Sequence, residues 1–122
     1  MKIKKKPWGK ESITHIKDGI QFKILHINKG EETSLQYHKN KCEAIIPLDN
    51  NCTVEYANII DLQNKQLHKK VPLKKGIIYL INSNHIHRFI AENNDTELAE
   101  LSNGPDGDIC RVEDKYHRNE KS

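Results

Sequence analysis

Residues 30–43 read Gly30-Glu31-Glu32-Thr33-Ser34-Leu35-Gln36-Tyr37-His38-Lys39-Asn40-Lys41-Cys42-Glu43. Gln36 and His38 stand two apart, and on a β-strand residues two apart point to the same face. An amide oxygen and an imidazole nitrogen can then meet one ion. Glu43 lies five residues beyond His38, an odd offset that would face away on a straight strand. The polar Lys39-Asn40-Lys41 between them leaves room for a bend or bulge that brings the carboxylate back. A second stretch complements the first. Gly76 opens the apolar run 77–81, Asn82-Ser83-Asn84 follow, and His87 comes after two further residues. Two imidazoles, one carboxylate and one neutral oxygen suit a divalent ion such as zinc, manganese, iron, cobalt or nickel, with positions left open for water or substrate.

Outward from these stretches the chain reads as strands. Residues 20–27, 52–60, 71–73 and 96–101 alternate apolar and polar side chains, the period-2 pattern of half-buried strands. Residues 76–81 form a short apolar run, which predicts a strand buried on both faces. Turn chemistry separates the pieces: Lys29-Gly30, Asp49-Asn50-Asn51, Lys75-Gly76, Asn93-Asn94-Asp95 and Gly104-Pro105-Asp106-Gly107. No window sustains a helical period. The pattern predicts one all-β domain over residues 1–122, an antiparallel barrel or sandwich with its core over about 7–118. The first six and last four residues are expected to fray.

Composition narrows the function classes. The 122 residues are 35% hydrophobic and 30% charged, which suits one soluble domain with a modest core. No apolar run approaches the roughly 20 residues of a membrane span, and the basic start lacks the apolar stretch of a secretory signal. A cytoplasmic protein with no membrane partner is the expectation. The net charge of +3 comes from lysines spread along the chain, alongside abundant Ile and Asn and only three arginines. Nucleic acid is therefore not an expected partner, since a binder shows a clustered basic face. Cys42, Cys52 and Cys110 have no CxxC spacing and are expected to be free, buried and reduced.

These spacings resemble the two cupin motifs. Gly30 is followed after five residues by Gln36-Tyr37-His38, then after four by Glu43 and after six by Asn50. Gly76 is followed after five residues by Asn82-Ser83-Asn84 and after two by His87. Asn50 and Asn84 stand where that family often has Gly, and Asn is the next-best residue for a left-handed backbone. Asn82 replaces a Pro, and Gln36 replaces the first His. More narrowly, Lys6-Pro7-Trp8-Gly9, Lys23-Ile24-Leu25, Ser34-Leu35-Gln36-Tyr37-His38 and the tail Asp108-Ile109-Cys110-Arg111-Val112-Glu113-Asp114-Lys115-Tyr116-His117-Arg118 are similar to type II mannose-6-phosphate isomerases. There such a cupin domain usually follows a sugar-nucleotide transferase domain. Asn40-Lys41-Cys42-Glu43-Ala44-Ile45 departs from that family's usual His-Arg-Ala-Glu-His-Trp.

The resemblance implies a jelly-roll barrel, the double-stranded β-helix, and one divalent metal ion held by Gln36, His38, Glu43 and His87. It implies interconversion of mannose 6-phosphate and fructose 6-phosphate through an enediolate, with a sugar phosphate as the small-molecule partner. Fixed cations must hold the phosphate, and the planar Arg fork suits it best. Arg111 and Arg118 in the tail are the candidates, with Arg88 and Lys23 behind them. Arg111 could instead pair with Asp114 or Glu113. Arg111 and His85 are the candidate catalytic groups, although His85 reads equally as a turn histidine bonded to backbone. Tyr37 should face away and pack, Trp8 should belong to the core, and Lys41 reads as solvated. A binding cupin that holds a sugar or nucleotide-sugar without turnover, or serves as an accessory subunit, is the rival reading. An iron-dependent dioxygenase is a further one. A homodimer is expected from fold analogy.

Overall fold

The computed structural model describes residues 1–103 and 108–116. Its strands are β1 (Lys2–Lys6), β2 (Gly9–Lys17), β3 (Ile20–Ile27), β4 (Leu35–His38), β5 (Glu43–Pro47), β6 (Thr53–Asn58), β7 (Lys69–Pro72), β8 (Tyr79–Ile81), β9 (His85–Ile90), β10 (Thr96–Ser102) and β11 (Ile109–Glu113). A six-stranded sheet runs β1-β2-β3-β10-β5-β8, and a five-stranded sheet runs β11-β4-β9-β6-β7. Every strand pairing is antiparallel. Among the described residues the only helical pieces are two single 3₁₀ turns, Ile59–Asp61 and Lys65–Leu67. Among the described residues no helix is long and apolar enough to cross a membrane.

The period-2 stretches become strands because their apolar sets meet between the sheets. Leu25 and Ile27 of β3, Ile45 of β5, Val54 of β6, Phe89 of β9 and Leu98 of β10 form the main core, with Trp8, Cys52 and Leu73. Burying each of the larger aliphatic side chains contributes about 1.5–3 kcal/mol. A second cluster of Leu35, Ala57 and Ile86 lies on alternate positions of β4, β6 and β9, packed by Tyr37, Leu62 and Val112. Tyr37 and Trp8 thus pack as expected.

Turn chemistry holds the barrel's corners. Gly30 and Gly76 take φ of 81° and 79°, and Asn84 takes φ of 62°. Asn50 does not adopt a left-handed backbone; its side chain accepts the Lys75 N–H at 2.8 Å instead. Gly9 of the Lys6-Pro7-Trp8-Gly9 motif has a different reason. A Cβ there would sit 1.9 Å from the His26 carbonyl oxygen, so the β2–β3 approach requires glycine.

Three expectations are corrected. Lys2–Lys6 does not fray, because it pairs along its length with β2 from Lys2↔Ile13 to Lys6↔Gly9. The run 76–81 is not a doubly buried strand. Only Tyr79–Ile81 is extended, at a sheet edge, and Ile78 and Leu80 are 63% and 74% exposed. Of the three free cysteines only Cys52 is buried; Cys42 is exposed and Cys110 intermediate. The turn at 104–107 and the last four residues lie outside the described residues.

Candidate metal centre

The ligand strands belong to different sheets. Gln36 and His38 sit on β4 of the five-stranded sheet, with Gln36 directly opposite His87 of β9. Glu43 begins β5 of the six-stranded sheet, opposite Ser102. The polar stretch 39–42 is therefore a corner between sheets and not a bulge within one strand, so strand parity places no limit on Glu43. This corner is pinned. The Asp108 carboxylate accepts the Asn40 and Lys41 N–H groups at 2.5 and 3.0 Å. Asn103 accepts the Cys42 N–H at 3.2 Å, and the Asn84 N–H donates to the His38 carbonyl at 2.7 Å.

The result is a tight buried cluster. His38 Nε2 lies 2.8 Å from Glu43 Oε1, and His87 Nε2 lies 3.8 Å from the same oxygen. One ligand atom from each of these three residues falls within 4.8 Å of the others, and all three residues are buried. The His87 Nδ1–H donates to the His85 carbonyl at 3.0 Å, since a carbonyl can only accept. That hydrogen bond fixes the tautomer and leaves Nε2 as a bare lone pair. This buried Nε2 has no hydrogen-bond partner among the described residues, which is costly unless something coordinates it. The donor set and the orphaned nitrogen fit a divalent ion. Gln36 faces the same cavity, and its Oε1 accepts the Ser34 hydroxyl at 2.6 Å.

Electrostatics prepare the carboxylate. Burial alone would raise the Glu43 pKa, but the His38 hydrogen bond and the neighbouring imidazoles hold it down at about 2. Burial pushes His87 down, toward the neutral form a metal ligand needs. Glu100, fully buried on β10, is held well above the usual carboxylate range, first by burial and then by the charge of Glu43. The Glu100 and Glu43 carboxyl groups hydrogen-bond one another. Sequence reasoning passed over Glu100, although the alternation through 96–101 puts it on the face of Thr96 and Leu98.

A cavity of about 270 Å³ opens beside His38, Glu43 and Gln36, with Lys23, Lys41 and Arg111 on its walls. Trp8 and Phe89 also border it. Lys41 is corrected from a solvated residue to one 4% exposed, because the pinned corner turns it inward. Two other candidates are not brought there. Arg88 lies on the outer face of its sheet, next to inward-facing His87, and is held by Glu32, Glu55 and Glu113. Burial would lower its pKa, but the hydrogen bonds it donates to Glu32 and Glu113 raise it. Arg88 is thus the centre of an ion-pair cluster away from the cavity beside His38 and Glu43. His85 has its Nδ1 bonded to the Ser83 carbonyl at 3.1 Å and lines a separate apolar cavity with His87, Tyr56 and Val54. Arg118 lies outside the described residues.

No family model matches the chain, and no curated protein does. Solved structures do, at low identity. The capsular polysaccharide assembling protein CapF from Staphylococcus aureus matches with TM-score 0.76 and 13% identity, over 91% of this chain and 34% of that one. Oxalate decarboxylase from Lactobacillus farciminis, as a formate complex, gives TM-score 0.72 and 16% identity, over 90% and 33%. KdgF from Halomonas sp. gives TM-score 0.66 and 13% identity, over 88% and 92%. The chain spans about a third of the length of the CapF structures. Identities this low speak for the fold alone. With two antiparallel sheets closed around a buried His-Glu-His cluster, that fold is the cupin barrel.

Proposed function

We propose that the protein is a metal-dependent sugar-phosphate isomerase that interconverts mannose 6-phosphate and fructose 6-phosphate through an enediolate. One observation carries the reading. The bare Nε2 of His87 converges with Glu43 and His38, and the latter two border a cavity walled by cations. His38, Glu43 and His87 would hold one divalent ion, with Gln36 as a further oxygen donor. When bound, that ion supplies positive charge for the oxygens of a developing enediolate.

The chain's own residues do the rest. Arg111 and Lys23 offer the phosphate fixed positive charge from the cavity wall. Lys41, buried close to Glu43 in sequence and space, adds charge where the enediolate forms. Ser34 orients the Gln36 amide. Trp8 and Phe89 form an apolar wall that limits water. The head, middle and tail motifs shared with type II mannose-6-phosphate isomerases support the same substrate.

The test is to load the purified protein in turn with zinc, manganese, iron, cobalt and nickel and to follow mannose 6-phosphate by phosphorus NMR. Fructose 6-phosphate should appear, and the alanine variants of Glu43 and His87 should abolish it. No conversion with any bound ion would refute the isomerase. Sugar-phosphate or nucleotide-sugar binding without turnover would then select the non-catalytic reading.

A further inference from the structure

The N-terminal strand contributes to the cavity. Lys4 and Lys6 of β1 border it together with Glu11 of β2 and Lys23 of β3. Glu11 is only 9% exposed. One of its oxygens lies 3.7 Å from Lys6 Nζ and the other 3.7 Å from Lys23 Nζ. One carboxylate thus stands between two ammonium groups and spaces them. Each ammonium carries three N–H donors. Lys41 and Arg111 face the same space. Lysines and arginine therefore outnumber the carboxylates Glu11, Glu43 and Glu100 around one cavity, before any divalent ion is added. A wall with that excess attracts an anion.

The register places this wall relative to the metal cluster. Lys23 lies opposite Glu100, and Glu100 lies opposite Ile45 of β5, the strand that begins with Glu43. The strand bearing Lys23 and the strand bearing Glu43 are two sheet spacings apart, about 10 Å. A ligand touching both must carry its anionic group several bonds away from its metal-binding oxygens.

We propose that Lys6 and Lys23, spaced by Glu11 at the β1–β2–β3 wall, form the subsite that selects a substrate with a terminal phosphate monoester. This deepens the isomerase reading and rests on it for the nature of the ligand's other end. A phosphate monoester carries up to two charges near neutral pH and matches two ammonium groups better than a single carboxylate does. Glu11 is a positioning residue: it holds the lysines apart and is displaced in part when phosphate binds.

The test is calorimetric titration of the zinc-loaded and metal-free full chain with inorganic phosphate, without turnover. Wild type should bind saturably in both forms. Lys6→Gln and Lys23→Gln should each weaken binding about tenfold or more, the effect of losing a charge-assisted hydrogen bond. Lys23→Arg should retain binding, and exposed Lys75→Gln should leave it unchanged. Glu11→Gln, which keeps the spacer and removes its charge, should tighten binding several-fold. Heat denaturation of each variant identifies any that fail to fold, and the Lys23→Arg and Glu11→Gln results stand apart from such failure. Mannose 6-phosphate should displace phosphate, whereas mannose and glucuronate should not. Affinity within twofold of wild type in both Lys→Gln variants, or binding that disappears with the metal, would overturn the subsite. Displacement by glucuronate would overturn its assignment to phosphate. Lysine-dependent phosphate binding without sugar interconversion would keep the subsite and refute only the isomerase.

Discussion

Removing the charge of Glu43 should change how the metal-free protein responds to acid. In the folded state the Glu43 pKa falls from its ordinary 4.5 to about 2; burial opposes the shift, and His38 and the second imidazole outweigh it. A carboxyl whose folded pKa lies below its unfolded value stabilises the fold above the unfolded pKa. That stability is lost as pH falls through the window from 4.5 to about 2. At about 1.4 kcal/mol per pH unit the whole effect is about 3 kcal/mol. Urea unfolding, followed by the fluorescence of buried Trp8, measures it at pH 7, 4 and 2.5. Wild type should lose about 2–3 kcal/mol more than Glu43→Gln across this range. Parallel acid limbs would refute the claim that Glu43 is held as an anion by the two histidines. The same preorganised charge makes the residue a ready cation ligand.

Other expectations follow from single contacts. Asp108→Asn weakens the acceptor that pins Asn40 and Lys41, and should lower zinc affinity about 10–100-fold, the usual effect of a supporting partner; competition with a chelator checks it, and unchanged affinity would refute the pin. Glu100 keeps, when folded, a proton that the unfolded chain loses above about pH 4.5, so it subtracts stability as pH rises. Glu100→Gln should therefore raise the melting temperature of the metal-free protein more at pH 8 than at pH 5, and equal shifts would refute it. Burial pushes the Cys52 thiol up to about 12, so a thiol reagent at pH 8 should label exposed Cys42 and spare Cys52 until urea is added. Labelling of native Cys52 would refute its burial.

Much of this molecule was legible in its sequence because a strand's alternation is local. Residues 20–27 and 96–101 alternate cleanly and appear as β3 and β10. Gln36, His38, Glu43 and His87 could be paired by motif spacing, and the three ionisable ones do converge. What stayed hidden depends on neighbours distant in sequence. The polar Gly9–Lys17 segment is a strand because it pairs with β1 and β3, not because of its own pattern. The apolar run at 77–81 misled because hydrophobicity does not reveal an edge position. Arg88 looked like a phosphate ligand, yet as the neighbour of inward-facing His87 it must face outward, where three carboxylates hold it. Lys6, Glu11 and Lys41 gained their place only when the hairpin and the pinned corner turned them toward one cavity.

The central claim is that His38, Glu43 and His87 form one metal centre, and metal content after cobalt(II) loading and dialysis tests it most directly. One tightly held ion per chain in wild type, with none retained in His87→Ala or Glu43→Ala variants that still fold, is the expected result. Equal cobalt content in wild type and both variants, or no ion held by wild type, would contradict it.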